Sequence, residues 1–422
     1  MSQDDESAKE AVGALVTRLG YAGIDVGGLV EGAKMHAPRN GPLIIRTSSN
    51  VNPHPCPAPM SSTPRSLAFP FPLPPGDDAV RQFIFDRFGE PAEVLRLVTN
   101  AHVPEPAAGE VSIRITKRLL HPGNVALIRG TYPVPMPPGG MSLGVDGVGT
   151  VTATGEGVDA SAGLTPGTRV AFFPGTGAWN EVAAVPANCV FPIPDDIPDD
   201  LACVSLANTV AALLMLRAIE KAAPGRAGVT TPILLTAAGS SFARALITLA
   251  LRRQLRLIGA VRSRTGADAL SERFPGLPIV TTEDAGWREE ARTLSDGEPC
   301  EVIVDPVGGA LVTDLLGLLA DGGTLVLYGG LAEEPISVPS LHVVFRGITL
   351  RGVSSARWLA DTTREQSLTD VADVWELLRT APGTFPVAGE FDLADLAAAV
   401  ELLEKPGSVG GVILRSDTDA AH

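Results

Sequence analysis

The chain has 422 residues, 45% of them hydrophobic and 19% charged, which at about 150 residues per domain implies two or three domains and excludes a wholly disordered protein. Acidic residues outnumber basic ones 48 to 33, a net charge of −15, so neither nucleic acid nor an anionic membrane is expected as the main partner. Four cysteines, Cys56, Cys189, Cys203 and Cys300, stand far apart with no Cys-x-x-Cys pair, which excludes a disulfide scaffold and a thiolate zinc cluster.

The opening Met-Ser-Gln-Asp-Asp-Glu lacks the basic and then apolar pattern of a secretory or transit segment, so a soluble cytoplasmic protein is expected. Residues 7–19 suit one short helix, marginal on its own in water. Eleven prolines fall between Pro38 and Pro75, where missing N–H donors favour extended, solvated backbone. Residues 1–80 are therefore read as a Pro-rich, largely disordered extension.

From Val80 the pattern changes. Residues 82–88 read as a strand and 109–116 alternate as a strand does, with Gly/Pro turns between short apolar pieces up to Pro194. This is the rhythm of a β-rich domain. The apolar run 201–216 is too short for a bilayer span and carries Ser205, Asn208 and Thr209, so it reads as a buried helix. Strand and helix patterns then alternate: strands at 233–237, 255–261, 278–281, 301–305 and 323–328, helices at 242–252, around 283–294 and from 310. That alternation predicts an α/β unit with a doubly wound parallel sheet and right-handed crossovers. Helices at 369–380 and 393–403 and a strand at 412–414 close the chain.

The first strand-turn-helix of this unit spans 233–243, where helix N–H groups would meet a dinucleotide pyrophosphate. Its glycine fingerprint is degraded: Ala238, Ser240 and Ala243 hold the three glycine positions, with Gly239 between them. The next strand ends Arg262-Ser263-Arg264, where an acid that binds the ribose of an unphosphorylated dinucleotide would stand. Two guanidiniums and a hydroxyl suit a 2′-phosphate, so NADPH is the expected cofactor; two solvated surface arginines are the plainer alternative.

In the β-rich half, a catalytic zinc would need a thiolate and imidazole set. Neither His121-Pro122-Gly123-Asn124 nor Gly144-Val145-Asp146-Gly147 supplies one, and no metal is expected; His121 and Asp146 read as a structural pair. Tyr132, in Gly130-Thr131-Tyr132, offers a phenol that is ordinarily protonated at neutral pH and able to donate a proton or hydrogen bond. Spacing alone also fits an aromatic packed beside a turn.

From about Phe83 to its end the chain resembles the medium-chain dehydrogenase/reductase superfamily. Within it the resemblance is to the zinc-free branch of trans-2-enoyl thioester and quinone reductases. It rests on the segments 121–124 and 130–133, on 144–149, on Gly175 to Trp179, and on Asn208-Thr209. It continues ungapped through 233–264, then through Val307-Gly308-Gly309, Tyr328-Gly329-Gly330 and 352–358. The resemblance implies a GroES-like catalytic domain (81–204 and 346–422) and a Rossmann cofactor domain (205–345). It implies Tyr132 as the catalytic residue and Asn124 and Trp179 in the substrate pocket. It implies that NADPH is held by Asn208, Gly239, Ser240, Ser241, Phe242, Ala243, Arg262, Ser263, Arg264, Tyr328, Gly329, Gly330, Val353, Ser354 and Ser355. The implied activity is NADPH-dependent reduction of the C=C bond of a 2-enoyl thioester. An NADPH:quinone or reactive-carbonyl reductase and a non-catalytic NADPH-binding protein are the alternatives. A homodimer is implied, paired through an edge strand near 348–351. Three departures stand out: Ser241 replaces a turn glycine, 353–356 lacks bulky aromatics, and Gly411 stands where a cofactor-contacting lysine is expected.

Overall fold

The computed structural model describes residues 80–416, apart from 102, 133, 223–230, 333, 406 and 408; the expected extension lies, but for Val80, outside the described residues. A hairpin of β1 (Val80–Ile84) and β2 (Arg96–Ala101) opens the described chain. The expected strand at 82–88 is thus shorter and earlier.

The catalytic lobe is built on β3 (Glu110–Leu120), followed by the helix α1 (Pro122–Arg129). Then come β4 (Gly147–Thr154), β5 (Arg169–Phe172), β6 (Val182–Pro186) and β7 (Val190–Pro192). Alternation along β3 puts Val111, Ile113 and Ile115 into the core. Each such side chain, fully buried, contributes about 1.5–3 kcal/mol. Arg118 on the same strand is wholly buried without a carboxylate. Its guanidinium donates to the carbonyls of Ala178 (2.8 Å) and Asn180 (2.9 Å) and to Ser416 Oγ (2.7 Å), and burial pushes its pKa down to about 9.

Helix α2 (Asp199–Ala222) is long and apolar enough to cross a bilayer, yet its side chains are buried inside the fold, as the sequence predicts. It packs on both lobes, touching β3, β4 and the strand Gly411–Arg415 on one side and the helices Ser241–Arg252 and Arg364–Thr380 on the other.

The cofactor lobe alternates strand and helix: β8 (Ile233–Leu235), α3 (Ser241–Arg252), β9 (Leu257–Val261), α4 (Arg264–Arg273), β10 (Ile279–Thr281), α5 (Trp287–Leu294) and β11 (Cys300–Asp305). There follow α6 (Leu311–Leu316), β12 (Leu319–Leu327), α7 (Ser340–Arg346) and β13 (Thr349–Gly352). All six strands are parallel, in the order β10-β9-β8-β11-β12-β13. Helix α4 and the strand β13 are additions to the sequence reading. β13 belongs to the parallel sheet, so that sheet runs past the expected domain boundary at 345. The sheet reverses between β8 and β11, and ligands of such folds bind at that switch point.

Helix α8 (Arg364–Thr380) packs back on α2 before β14 (Val387–Asp392), α9 (Leu396–Glu404) and β15 (Gly411–Arg415) complete the catalytic lobe. β15 lies between β14 and β3. The chain meets its first lobe again at Trp358, packed on Phe173 and Phe191, and rejoins that lobe's sheet at Val387.

Candidate active site

The turn after β8 carries the features of an anion-binding helix start. Ala237 adopts left-handed backbone (φ 46°), a strain of about 1–2 kcal/mol for an L-residue. Ser240 then caps α3, its Oγ accepting from the Ala243 N–H at 3.2 Å. A Cβ on Gly239 would meet open space, so the turn does not need glycine there, and Ser241 fits as the first helical residue. Asp305 at the end of β11 accepts from the Thr236 hydroxyl and from the N–H groups of Val307 (3.1 Å) and Gly308 (2.8 Å). That buried carboxylate fastens the turn to the neighbouring strand end.

At the end of β9, Ser263 caps α4, its Oγ accepting from the Gly266 N–H at 3.3 Å. Arg262 and Arg264 flank the cap, 70% and 71% exposed, with Glu283 at 3.8 Å and Asp284 at 2.9 Å. Ion pairs so exposed contribute about 0–1 kcal/mol. Both guanidiniums are thus open to a phosphate at a helix N-terminus. Asn208 is nearly buried in α2 and donates Nδ2 to its own helix at Val204 O (2.8 Å).

Where β12 ends, Tyr328 stacks on Phe242 at a centroid distance of 4.2 Å. A Cβ on Gly329 would lie 2.9 Å from the Pro306 carbonyl oxygen, so glycine is required there. Gly330 faces open space. The Val353 N–H donates to Leu327 O (2.9 Å), which lays residues 353–355 beside Tyr328. Burial pushes the Tyr328 phenol up to about 12 against a hydrogen bond from Ser355, and Tyr132 and Asp146 lie close enough to raise it further.

Tyr132 follows α1, whose last turn ends on Gly130 in left-handed backbone (φ 80°). It is 48% exposed, and its hydroxyl sits 2.9 Å from where a Cβ on Gly123 would be. Glycine at 123 therefore leaves the phenol its place over the first turn of α1. Tyr132 is not a buried packing aromatic. His121 precedes that helix, and its Nε2 lies 2.9 Å from both carboxylate oxygens of Asp146. Burial works against a charged imidazole, but the charge and hydrogen bonding of Asp146 outweigh it and hold His121 above its ordinary range.

Two expected pocket residues are turned inward. Trp179 is fully buried, edge-on to Phe83, and a Cβ on Gly144 would collide with its ring. It is a core residue and walls no open pocket. Asn124 is 5% exposed and its Oδ1 accepts from the His121 N–H at 3.0 Å, so it secures the start of α1. Gly411 has no room for a lysine, because a Cβ there would press on Val204 and Leu119 at 2.8 and 3.0 Å. Among the described residues no three His, Cys, Asp or Glu side chains converge as a metal-binding set.

The sequence reading missed two couplings here: the Phe242–Tyr328 stack and the close His121–Asp146 pair. Each joins distant segments and leaves no spacing signal in the chain.

Comparison with known proteins agrees with this architecture. Residues 107–195 match the alcohol dehydrogenase GroES-like domain, and residues 244–372 match the family described as zinc-binding dehydrogenase. The mitochondrial enoyl-acyl-carrier-protein reductase of Homo sapiens is 29% identical over 333 residues, covering 78% of this chain and 86% of the human protein. A mycobacterial protein solved with NADPH superposes with a TM-score of 0.70 at 25% identity, over 79% of this chain and 99% of that one. The Escherichia coli quinone oxidoreductase, also solved with NADPH, shares the fold at TM-score 0.70 and 22% identity, over 79% and 99% of the two chains. The GroES-like lobe and the parallel-sheet lobe with its switch point are the architecture of the two matched families. Along both lobes the chain is similar to medium-chain dehydrogenase/reductase proteins, among them the mitochondrial enoyl-acyl-carrier-protein reductases.

Proposed function

We propose that this chain is an NADPH-dependent oxidoreductase that reduces an activated C=C bond, with a 2-enoyl thioester as its substrate class. The observation that carries the reading is that Arg262 and Arg264, largely exposed and in weak surface ion pairs with Glu283 and Asp284, flank the capped start of α4, with no acidic residue at the end of β9 itself. The relatives named as enoyl-acyl-carrier-protein reductases and the neighbour solved with NADPH support it.

Bound NADPH supplies the hydride for the β-carbon. The Ser240 turn and the arginines would hold its phosphates, with the Phe242–Tyr328 stack and residues 353–355 as its further contacts. Tyr132 donates its hydroxyl to the acyl group, where charge builds on the thioester oxygen and a proton is needed at the α-carbon. Asn208, Gly239, Ser241, Ala243, Ser263, Gly329, Gly330, Val353, Ser354 and Ser355 complete the proposed cofactor contacts.

A quinone or reactive-carbonyl reductase is the second reading, favoured by the absence of bulky aromatics at 353–356. Steady-state rates with crotonyl-CoA, longer enoyl thioesters and a quinone series separate the two. Turnover confined to quinones would overturn the thioester assignment, and NADPH binding without turnover of any acceptor would leave only a cofactor-binding protein.

A second copy of this chain is the proposed partner. β13 is an edge strand of the parallel sheet, and α7, the helix before it in the chain, exposes Leu341, Val344 and Phe345. The cytoplasmic placement expected from the opening residues stands against relatives named as mitochondrial; fractionation of cells expressing the full chain decides between them.

A further inference from the structure

Arg244 stands directly after the last fingerprint position, near the start of α3, and has no part in the scheme above. It is 5% exposed. Its Nε donates to the Gly239 carbonyl at 3.2 Å, and its own N–H donates to the Ser240 carbonyl at 2.9 Å. The side chain thus folds back over the turn that leads into its own helix. No carboxylate pairs with it among the described residues, and the charge that acts on it is another cation, Arg273. Three costs fall on this guanidinium. Burial removes its water, the positive end of the α3 dipole opposes it, and Arg273 adds like charge; burial first and then Arg273 hold its pKa below the usual arginine value. Within the chain it makes one hydrogen bond, to a carbonyl.

The turn it covers is prepared for an anion. The N–H groups of Ser241 and Phe242 have no acceptor among the described residues, and a Cβ on Gly239 would meet open space. An unpaired carbonyl oxygen beside a phosphate repels it, and Arg244 engages the Gly239 oxygen while bringing a positive charge to the turn. We propose that Arg244 is a positioning residue for the pyrophosphate of the bound dinucleotide: it fixes the turn through the Gly239 carbonyl, and its uncompensated charge is neutralised when the pyrophosphate settles on the start of α3. The proposal rests on the NADPH reading above. Where a glycine fingerprint lets the backbone shape itself around the phosphates, this chain has Ala238, Ser240 and Ala243 and holds the turn from outside with a side chain. The pyrophosphate is common to NADPH and NADH, so Arg244 serves both cofactors alike, unlike the arginines proposed for the 2′-phosphate.

Fluorescence titration of the full chain with NADPH and with NADH, at several salt concentrations, tests this. Arg244→Met is expected to raise both dissociation constants by a factor on the order of 10. The ratio between the two cofactors and kcat at saturating NADPH stay within about twofold of wild type, and the dependence of Kd on salt becomes shallower. Arg244→Lys keeps the charge and restores the wild-type salt dependence, whereas Arg244→Gln keeps a donor for Gly239 and retains the shallow one. Unchanged affinity in Arg244→Met, a loss confined to NADPH, or equal losses in all three variants with the wild-type salt dependence overturns the assignment. Should Arg244→Met fail to fold, the contrast between Arg244→Lys and Arg244→Gln carries the same decision. Failure of the functional reading is distinct. A wild type that binds NADPH but reduces no acceptor ends the catalytic reading alone, and one that binds neither dinucleotide ends the cofactor reading and this inference with it.

Discussion

Arg262 and Arg264 hold Glu283 and Asp284 only loosely at the protein surface, so a phosphate displaces those carboxylates at little cost. A charge-assisted hydrogen bond contributes about 1.5–3 kcal/mol. The double variant Arg262→Ala/Arg264→Ala is therefore expected to weaken NADPH binding by a factor on the order of 10²–10³, with NADH binding unchanged, as read by fluorescence titration. The proposed role of Tyr132 falls at another point of the cycle. Tyr132→Phe keeps the ring over Gly123 and removes the donor, so kcat should drop on the order of 10²-fold or more while the NADPH dissociation constant barely moves. The His121–Asp146 pair also predicts a pH signature in stability. The imidazole is raised above its ordinary value of 6.5 in the folded chain. Its stabilisation is thus fully present below about pH 6.5 and disappears as the pH rises through the raised folded value. Urea midpoints of wild type and Asp146→Asn should differ most in that acidic range and converge above it; a constant gap would contradict the assignment.

The segment after β13 is positioned from both lobes. Trp358 is fully buried between Phe173 and Phe191, with ring centroids at 6.1 and 5.7 Å, and its Nε1 donates to Asp370 at 2.8 Å. Asp370 also accepts from Gln366 at 3.0 Å and from Arg217. This knot on α2 and α8 fixes where residues 353–355 meet Tyr328. Trp358→Phe keeps an aromatic ring but removes the donor and leaves space behind. It should cost about 1–3 kcal/mol of stability and raise the NADPH dissociation constant; an unchanged affinity would free the loop from this anchor. Five strands of the parallel sheet were legible in the sequence because each is a short apolar run next to a helix signal. β13 was not, since Thr349, Leu350, Arg351 and Gly352 carry no clear alternation and gain their strand from pairing with β12. The residues proposed to read phosphate stand out in the sequence for the same local reason, as they crowd onto turns. The inward facing of Trp179 and Asn124 was not, because burial depends on Phe83 and His121, far off or set by the helix start.

The −15 charge of the full chain gave no indication of an anionic ligand, whose proposed phosphate contacts use two arginines and backbone N–H groups inside an acidic molecule. The glycines and prolines divide likewise: prolines crowd the segment before Val80, while glycine serves close approaches such as Gly123 and Gly329. In the cofactor lobe β13 is an edge strand, and α7, the helix before it in the chain, leaves Leu341, Val344 and Phe345 64%, 70% and 79% exposed. An apolar patch and a free sheet edge are natural pairing surfaces. The wild-type chain is expected to elute as a dimer in size-exclusion chromatography with light scattering, and Val344→Asp/Phe345→Asp as a monomer; a monomeric wild type would contradict the pairing. The proposed chemistry is tested most directly by kcat/KM for crotonyl-CoA with NADPH against NADH on the full chain. The account predicts saturable reduction with NADPH preferred by a factor on the order of 10² or more, and either no turnover of the enoyl thioester or a preference for NADH would contradict it.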